Sequence, residues 1–235
     1  MRHPPLLTRT LTTADVPPTG ASATRRALCV KAFAVAAGGW GGWLLPASTA
    51  LAEEAEALFW HQLAQGTCVV LMRHALTEPG SGDPAGFDLR NCTSQRNLSD
   101  VGRRQARDWG AAFVQHRVAL SEVRTSDWCR CKDTARLAFG RYRVWSPLNS
   151  FFEAAATDTL ARTQTADVTR FIDSLRTPRN TVLVTHQVNI TALTGVVPGM
   201  GEMLLVRPPH ASGGTAEATP PAPRYAVVAR LALPS

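Results

Sequence analysis

The chain has 235 residues, with 25 Lys and Arg against 18 Asp and Glu, and 45% of its residues are hydrophobic. The formal charge of +7 is concentrated at the start: residues 1–52 hold five of the basic residues (Arg2, Arg9, Arg25, Arg26, Lys31) and one acidic residue, Asp15. Residues 53–235, 183 in all, therefore carry 20 basic and 17 acidic residues, a charge of +3 that removes most of the case for charge-driven nucleic-acid binding and leaves enough chain for one domain with a sizeable core.

In chain order, Arg25 and Arg26 come first, then an apolar, glycine-bearing run over 32–45, then small residues ending Ala50-Leu51-Ala52 before Glu53-Glu54. Basic, then apolar, then small-x-small is the order an export signal requires, so residues 1–52 are expected to be a signal cleaved after Ala52. A retained membrane anchor is the rival reading. Gly38, Gly39, Gly41, Gly42 and Pro46 interrupt the run, which is short of the roughly 20 apolar residues a span needs. Residues 24–28, Thr-Arg-Arg-Ala-Leu, resemble a twin-arginine signal, with Lys31 as a departure inside the run. The expectation is a periplasmic or otherwise exported domain over 53–235, without a stable membrane anchor.

Residues 67–72, Thr-Cys-Val-Val-Leu-Met, predict a buried strand ending at Arg73-His74. A polar loop rich in Gly, Pro and Asp follows over 77–97. Ser99 is placed to cap a helix whose apolar face is Ala106, Trp109, Phe113 and Val114. A strand around 118–125 leads to Ser126, a second helix spans about 129–139, and 142–145 reads as another strand. A helix over 158–176, a buried strand over 181–185 ending at His186, and strands over 202–207 and 225–231 complete the pattern. Residues 208–223 read as a Pro-, Gly- and Ala-rich surface loop.

Strands alternating with helices predict an α/β fold, a three-layer α/β/α sandwich on a mainly parallel sheet. Sites in such folds lie beyond the carboxyl ends of strands, where Arg73-His74, Ser126 to Arg130, and His186 all fall. Of the cysteines beyond the signal, Cys68 reads as a buried strand thiol. Cys92 is expected to pair with Cys129 or Cys131, since a Cys129–Cys131 loop would be strained. Zinc ligation is the rival, but C-x-C alone lacks the usual ligand spacing.

An arginine and a histidine after a buried strand are common enough to mean little alone. Here they head an ordered series: Arg73-His74-Ala75, then Leu98-Ser99-x-x-Gly102-x-x-Gln105-Ala106, then Ser126-x-x-x-Arg130-x-x-x-Thr134, then 182–185 ending in His186. Over about 67–207 the chain resembles the histidine phosphatase superfamily, also called phosphoglycerate mutase-like. The resemblance implies a phosphomonoester hydrolase with His74 as nucleophile and Arg73, Arg130 and His186 around the transferring phosphoryl group. It implies no metal and no cofactor, because side-chain cations offset the charge.

Two departures stand out. Ala75 replaces the family's usual glycine, and Gln187 stands where one branch carries an aspartic acid that protonates the leaving group. By spacing, Glu153 fits the acid of the mutase-like branch; Glu78 and Asp83 are its rivals. Thr77 and Arg96 are further candidates for contact with substrate. His61, His116 and His210 match nothing and read as surface residues. A Cys92 disulfide to a cysteine flanking Arg130 is expected to fix that arginine. The substrate class expected is a small phosphorylated molecule, such as an envelope phospho-sugar, with no nucleic-acid partner. A phosphate-binding protein without turnover is the competing class.

Overall fold

The computed structural model describes residues 47–152, 158–175, 180–208 and 223–233. Most of the expected signal, Glu153, His210 and most of the loop expected over 208–223 lie outside the described residues.

Among the described residues six strands form one sheet: β1 (Val69–Arg73), β2 (Val123–Thr125), β3 (Arg143–Val144), β4 (Thr181–Thr185), β5 (Met203–Val206) and β6 (Val227–Leu231). Their spatial order is β3-β2-β4-β1-β5-β6. The first four in that order run parallel; β5 is antiparallel to β1, and β6 to β5. The helices are α1 (Ala47–Ala64), α2 (Asp100–Gln115), α3 (Cys129–Phe139), α4 (Asp158–Ser174) and α5 (Gln187–Thr194). Among the described residues no helix is long and apolar enough to cross a membrane.

Strand side chains alternate between faces, and the two faces collect different helices. Val70, Met72, Val182, Val184, Met203 and Leu205 pack with Phe59 and Leu63 of α1, Trp109 and Phe113 of α2, and Ala135 of α3. Their neighbours Val69, Leu71, Leu183, Leu204 and Val206 pack with Val168 and Ile172 of α4 and Ile190 and Leu193 of α5. β1 and β4 are apolar at nearly every position because helices cover both faces, which is the three-layer arrangement expected.

The chain leaves β1 through α2 on one face and leaves β4 through α5 on the other. β1 and β4 are adjacent, so their carboxyl ends border the crevice where the connections diverge. Arg73 pairs with Thr185, and the next residue on each strand is a histidine.

One sequence expectation shifts, and two helices add to the sequence reading. The strand expected over 118–125 is paired only at Val123–Thr125. The helix α5 was hidden because its short sequence, Gln-Val-Asn-Ile-Thr-Ala-Leu-Thr, opens on polar–apolar alternation and shows no helical period, although Asn189, Ile190, Leu193 and Thr194 are all buried. The helix α1 reaches past the expected cleavage site, and from Leu51 onward its first buried side chain is Phe59.

Candidate active site

His74 and His186 are 3% and 4% exposed, with ring centroids 5.5 Å apart. They line a pocket of about 220 Å³ together with Arg73, Arg96, Arg130 and Asp83. Trp128, Phe152 and Met200 form its less polar wall.

Backbone bonds fix the floor. His74 N–H donates to Thr185 O at 3.0 Å, Gly201 N–H to His74 O at 2.9 Å, and Ser126 N–H to Val184 O at 3.1 Å. Ala75 N–H donates to Thr134 Oγ1 at 3.0 Å, and that hydroxyl donates to Arg130 O at 2.7 Å. The threonine of the third motif thus ties the loop after β1 to the first turn of α3, which carries Arg130.

His74 Nδ1 lies 2.9 Å from Ala75 O. A carbonyl can only accept, so Nδ1 holds the proton and Nε2 the lone pair. Burial, followed by Arg130, pushes the imidazole well below the ordinary histidine range; Arg73 and Arg96 add to this and the Ala75 carbonyl opposes it. A neutral imidazole with its lone pair on Nε2 is the nucleophilic form.

His186 is oriented through a chain of side chains. Asn149 Nδ2 donates to Asp127 Oδ2 at 2.9 Å, while Asp127 N–H donates to Asn149 Oδ1 at 2.8 Å, which settles the amide's orientation. Ser126 Oγ donates to that Oδ1 at 3.1 Å. With its proton used, the serine oxygen accepts from His186 Nε2, 2.9 Å away. Burial first, then His74 and the three arginines, hold His186 well below its ordinary value. Cys131 Sγ is 3.5 Å from the same nitrogen, and burial pushes its thiol up to about 12, so it stays protonated.

Arg73 and Arg130 are only partly engaged by protein. Arg73 Nη1 donates to Pro198 O at 2.8 Å, and Arg96 Nη1 to Gly80 O at 2.6 Å. The Nε atoms of Arg73 and Arg130 are buried without an acceptor among the described residues. Arg73 is itself held below the usual guanidinium range, by burial and then by Arg96 and Arg130. Clustered, mutually repelling donors beside a neutral imidazole form a site for a multiply charged oxyanion.

Of the sequence-predicted residues, the structure brings together Arg73, His74, Arg96, Arg130 and His186. Thr77 does not line the pocket: it is buried behind it, bridged to Leu98, with Oγ1 3.7 Å from Met200 Sδ. Glu78 is exposed, bonded through its backbone to Asn97, and also lies outside the lining. Glu153 follows the pocket residue Phe152 but lies outside the described residues. Asp83 lies in the pocket with both oxygens accepting from Arg130. Cys92 pairs with Cys129, while Cys68 and Cys131 are buried thiols. Sequence reasoning did not single out Asn149 or Trp128; each acts through a fold-level contact, and neither lies in a recurrent spacing.

No protein-family model and no curated protein matches the sequence. Solved structures do resemble the chain. One is a protein from Agrobacterium tumefaciens assigned as the phosphohistidine phosphatase SixA, at 16% identity and a TM-score of 0.46, covering 72% of this chain and 99% of that one. Another is the protein histidine phosphatase SixA complexed with tungstate, at 13% identity and 0.41, covering 59% and 86%. A third is a mycobacterial glucosyl-3-phosphoglycerate phosphatase, at 17% identity and 0.42, covering 60% and 89%.

Proposed function

We propose that the chain is a histidine phosphatase that hydrolyses small phosphomonoesters through a phosphohistidine on His74. The observation that carries this reading is the tautomer of His74: Nδ1–H is committed to Ala75 O, and Nε2 keeps its lone pair in a pocket with three arginines.

In the first step Nε2 attacks phosphorus and the bond from phosphorus to the leaving oxygen breaks. Arg73 and Arg130 bind equatorial oxygens and supply the fixed positive charge that phosphoryl transfer requires, and His186, neutral in the free site, joins them by taking up a proton as the anion arrives. The leaving oxygen takes a proton from an acid, the role we assign to Glu153 on its motif spacing. Water then gives a proton to the carboxylate left by the first step and attacks phosphorus; the phosphorus–nitrogen bond breaks, phosphate leaves, and both His74 and the acid return to their starting forms. A pocket of about 220 Å³ with Trp128, Phe152 and Met200 in its wall suits a small leaving group, such as a sugar of the cell envelope.

An exported location is part of the proposal. Support comes from the signal-like order of residues 1–52, and from the Cys92–Cys129 bond, a pairing that persists in oxidising compartments. From Leu51 onward the first buried residue of α1 stands seven positions after Ala52, so cleavage there spares the core.

The test is hydrolysis of p-nitrophenyl phosphate with EDTA present across pH 4–8, beside His74→Ala and Glu153→Gln. Activity that resists EDTA and vanishes in His74→Ala, with acid-labile phosphate trapped on the wild type, is the expected result. Turnover that survives in His74→Ala refutes the assignment. Vanadate binding without any turnover favours the second reading, a phosphate-binding protein, which the glutamine at position 187 keeps open.

A further inference from the structure

Asp83 has no step in this mechanism, yet its side chain is 1% exposed and sits against the site's central arginine. Its oxygens accept from Arg130 Nη1 at 2.8 and 2.9 Å, from Trp128 Nε1 at 2.9 Å and from Arg96 N–H at 2.8 Å. The turn that delivers it, 80–83, has Gly80 at φ +126° and Gly82 at +71°, conformations that suit glycine, and Arg96 Nη1 braces Gly80 O. Two glycines, an arginine and an indole N–H therefore converge on placing one carboxylate.

A carboxylate on the arginine that is to hold an anion looks like a competitor. The guanidinium separates the two duties. Nη1 points away from the side-on fork formed by Nε–H and Nη2–H, and that fork matches two oxygens of a phosphoryl group. Asp83 engages Nη1. Nε is buried, with no acceptor among the described residues.

We propose that Asp83 is a positioning residue: it holds Arg130 by Nη1 so that the Nε and Nη2 edge is presented to the phosphoryl group. This rests on the phosphatase reading for the reaction, though not for anion binding. It also separates Asp83 from the general acid, because both carboxylate oxygens are already accepting from N–H donors.

Asp83→Asn in the full chain keeps the shape and places an NH₂ against donors: Arg130 faces both oxygens, Arg96 N–H one and Trp128 the other. The readouts are vanadate affinity and kcat/KM for p-nitrophenyl phosphate and glycerol phosphate, a good and a poor leaving group. The expected result is weaker vanadate binding and a loss of roughly 100-fold in kcat/KM, the same for both substrates, as misplacement of a binding group produces. A loss confined to glycerol phosphate with vanadate affinity intact identifies Asp83 as the acid and overturns the proposal. So does an unchanged variant. If Asp83→Asn does not fold, Trp128→Phe takes the indole N–H from Asp83 together with part of the pocket wall, and vanadate affinity equal to wild type overturns the proposal. A wild type that binds vanadate without turnover defeats the phosphatase reading alone, and the vanadate comparison still decides the role of Asp83.

Discussion

Cys92 and Cys129 lie 37 positions apart, one in the 3-10 turn Cys92–Ser94 and the other at the start of α3, directly before Arg130. In the folded chain the same junction is also held by Cys129 N–H on Gln95 Oε1 at 2.9 Å, and Gln95 Nε2 donates in turn to Asp88 O at 3.0 Å. Opening the bond gives the unfolded chain back the freedom of a loop of that size, and in the folded chain leaves Gln95 to hold this junction without it. The loop-closure relation puts the loss at about 4 kcal/mol. For a domain of this length that is a fall of roughly 8–16 °C in Tm. The assay is urea and thermal unfolding of wild type beside the Cys92→Ser, Cys129→Ala double variant, with p-nitrophenyl phosphate turnover measured on both. Turnover is expected to fall as well, because the bond anchors the residue next to Arg130. A stability difference under about 1 kcal/mol, with turnover unchanged, refutes both the loop argument and the anchoring of Arg130.

Other outcomes follow from the same geometry. His74 and His186 have folded values well below the ordinary 6.5, so the unfolded chain binds more protons once pH falls below that value. Stability from this source is complete above pH 6.5 and lost below it, with a slope reaching about 2.7 kcal/mol per pH unit for the two sites; denaturation between pH 7 and 5 should show it, halved in His74→Ala. The acid limb of kcat/KM set by His74 should likewise lie well below pH 6.5, and a limb centred at 6.5 contradicts the buried neutral imidazole. Binding of phosphate or vanadate brings negative charge to His186 and should draw in a proton there, visible as calorimetric heats that vary with the buffer's ionisation enthalpy. Gly102→Ala sets a Cβ 1.8 Å from Leu76 O, a backbone atom that cannot swing aside, and should cost about 3 kcal/mol or more in urea unfolding.

The parts of the molecule legible in the sequence are those with a period or a spacing. Apolar runs locate β1 and β4, and Ser99 caps α2 by accepting from Gly102 N–H as its position suggests. The four ordered motifs pick out His74, Arg73, Arg130 and His186 because each stands at the end of a strand or a few residues beyond it. The glycine of the second motif has its reason in the close approach of Leu76 O. Asp83 is different: it lies thirteen residues before Arg96 in a loop without period, and its bond to Arg130 spans 47 positions. Sequence could offer it only as a rival acid, since nothing local shows which donors it will meet. Thr77 errs the other way, through alignment with a motif whose neighbouring backbone here turns its hydroxyl toward Met200.

The edge strand β3 is two residues long, and both are exposed. Arg141 and Arg143 flank and occupy it, with Arg141 Nη2 donating to Leu120 O at 3.0 Å. Such an edge gives another chain almost no ladder to extend and sets charge against its approach. At that side of the sheet, protection from strand-to-strand aggregation is built in.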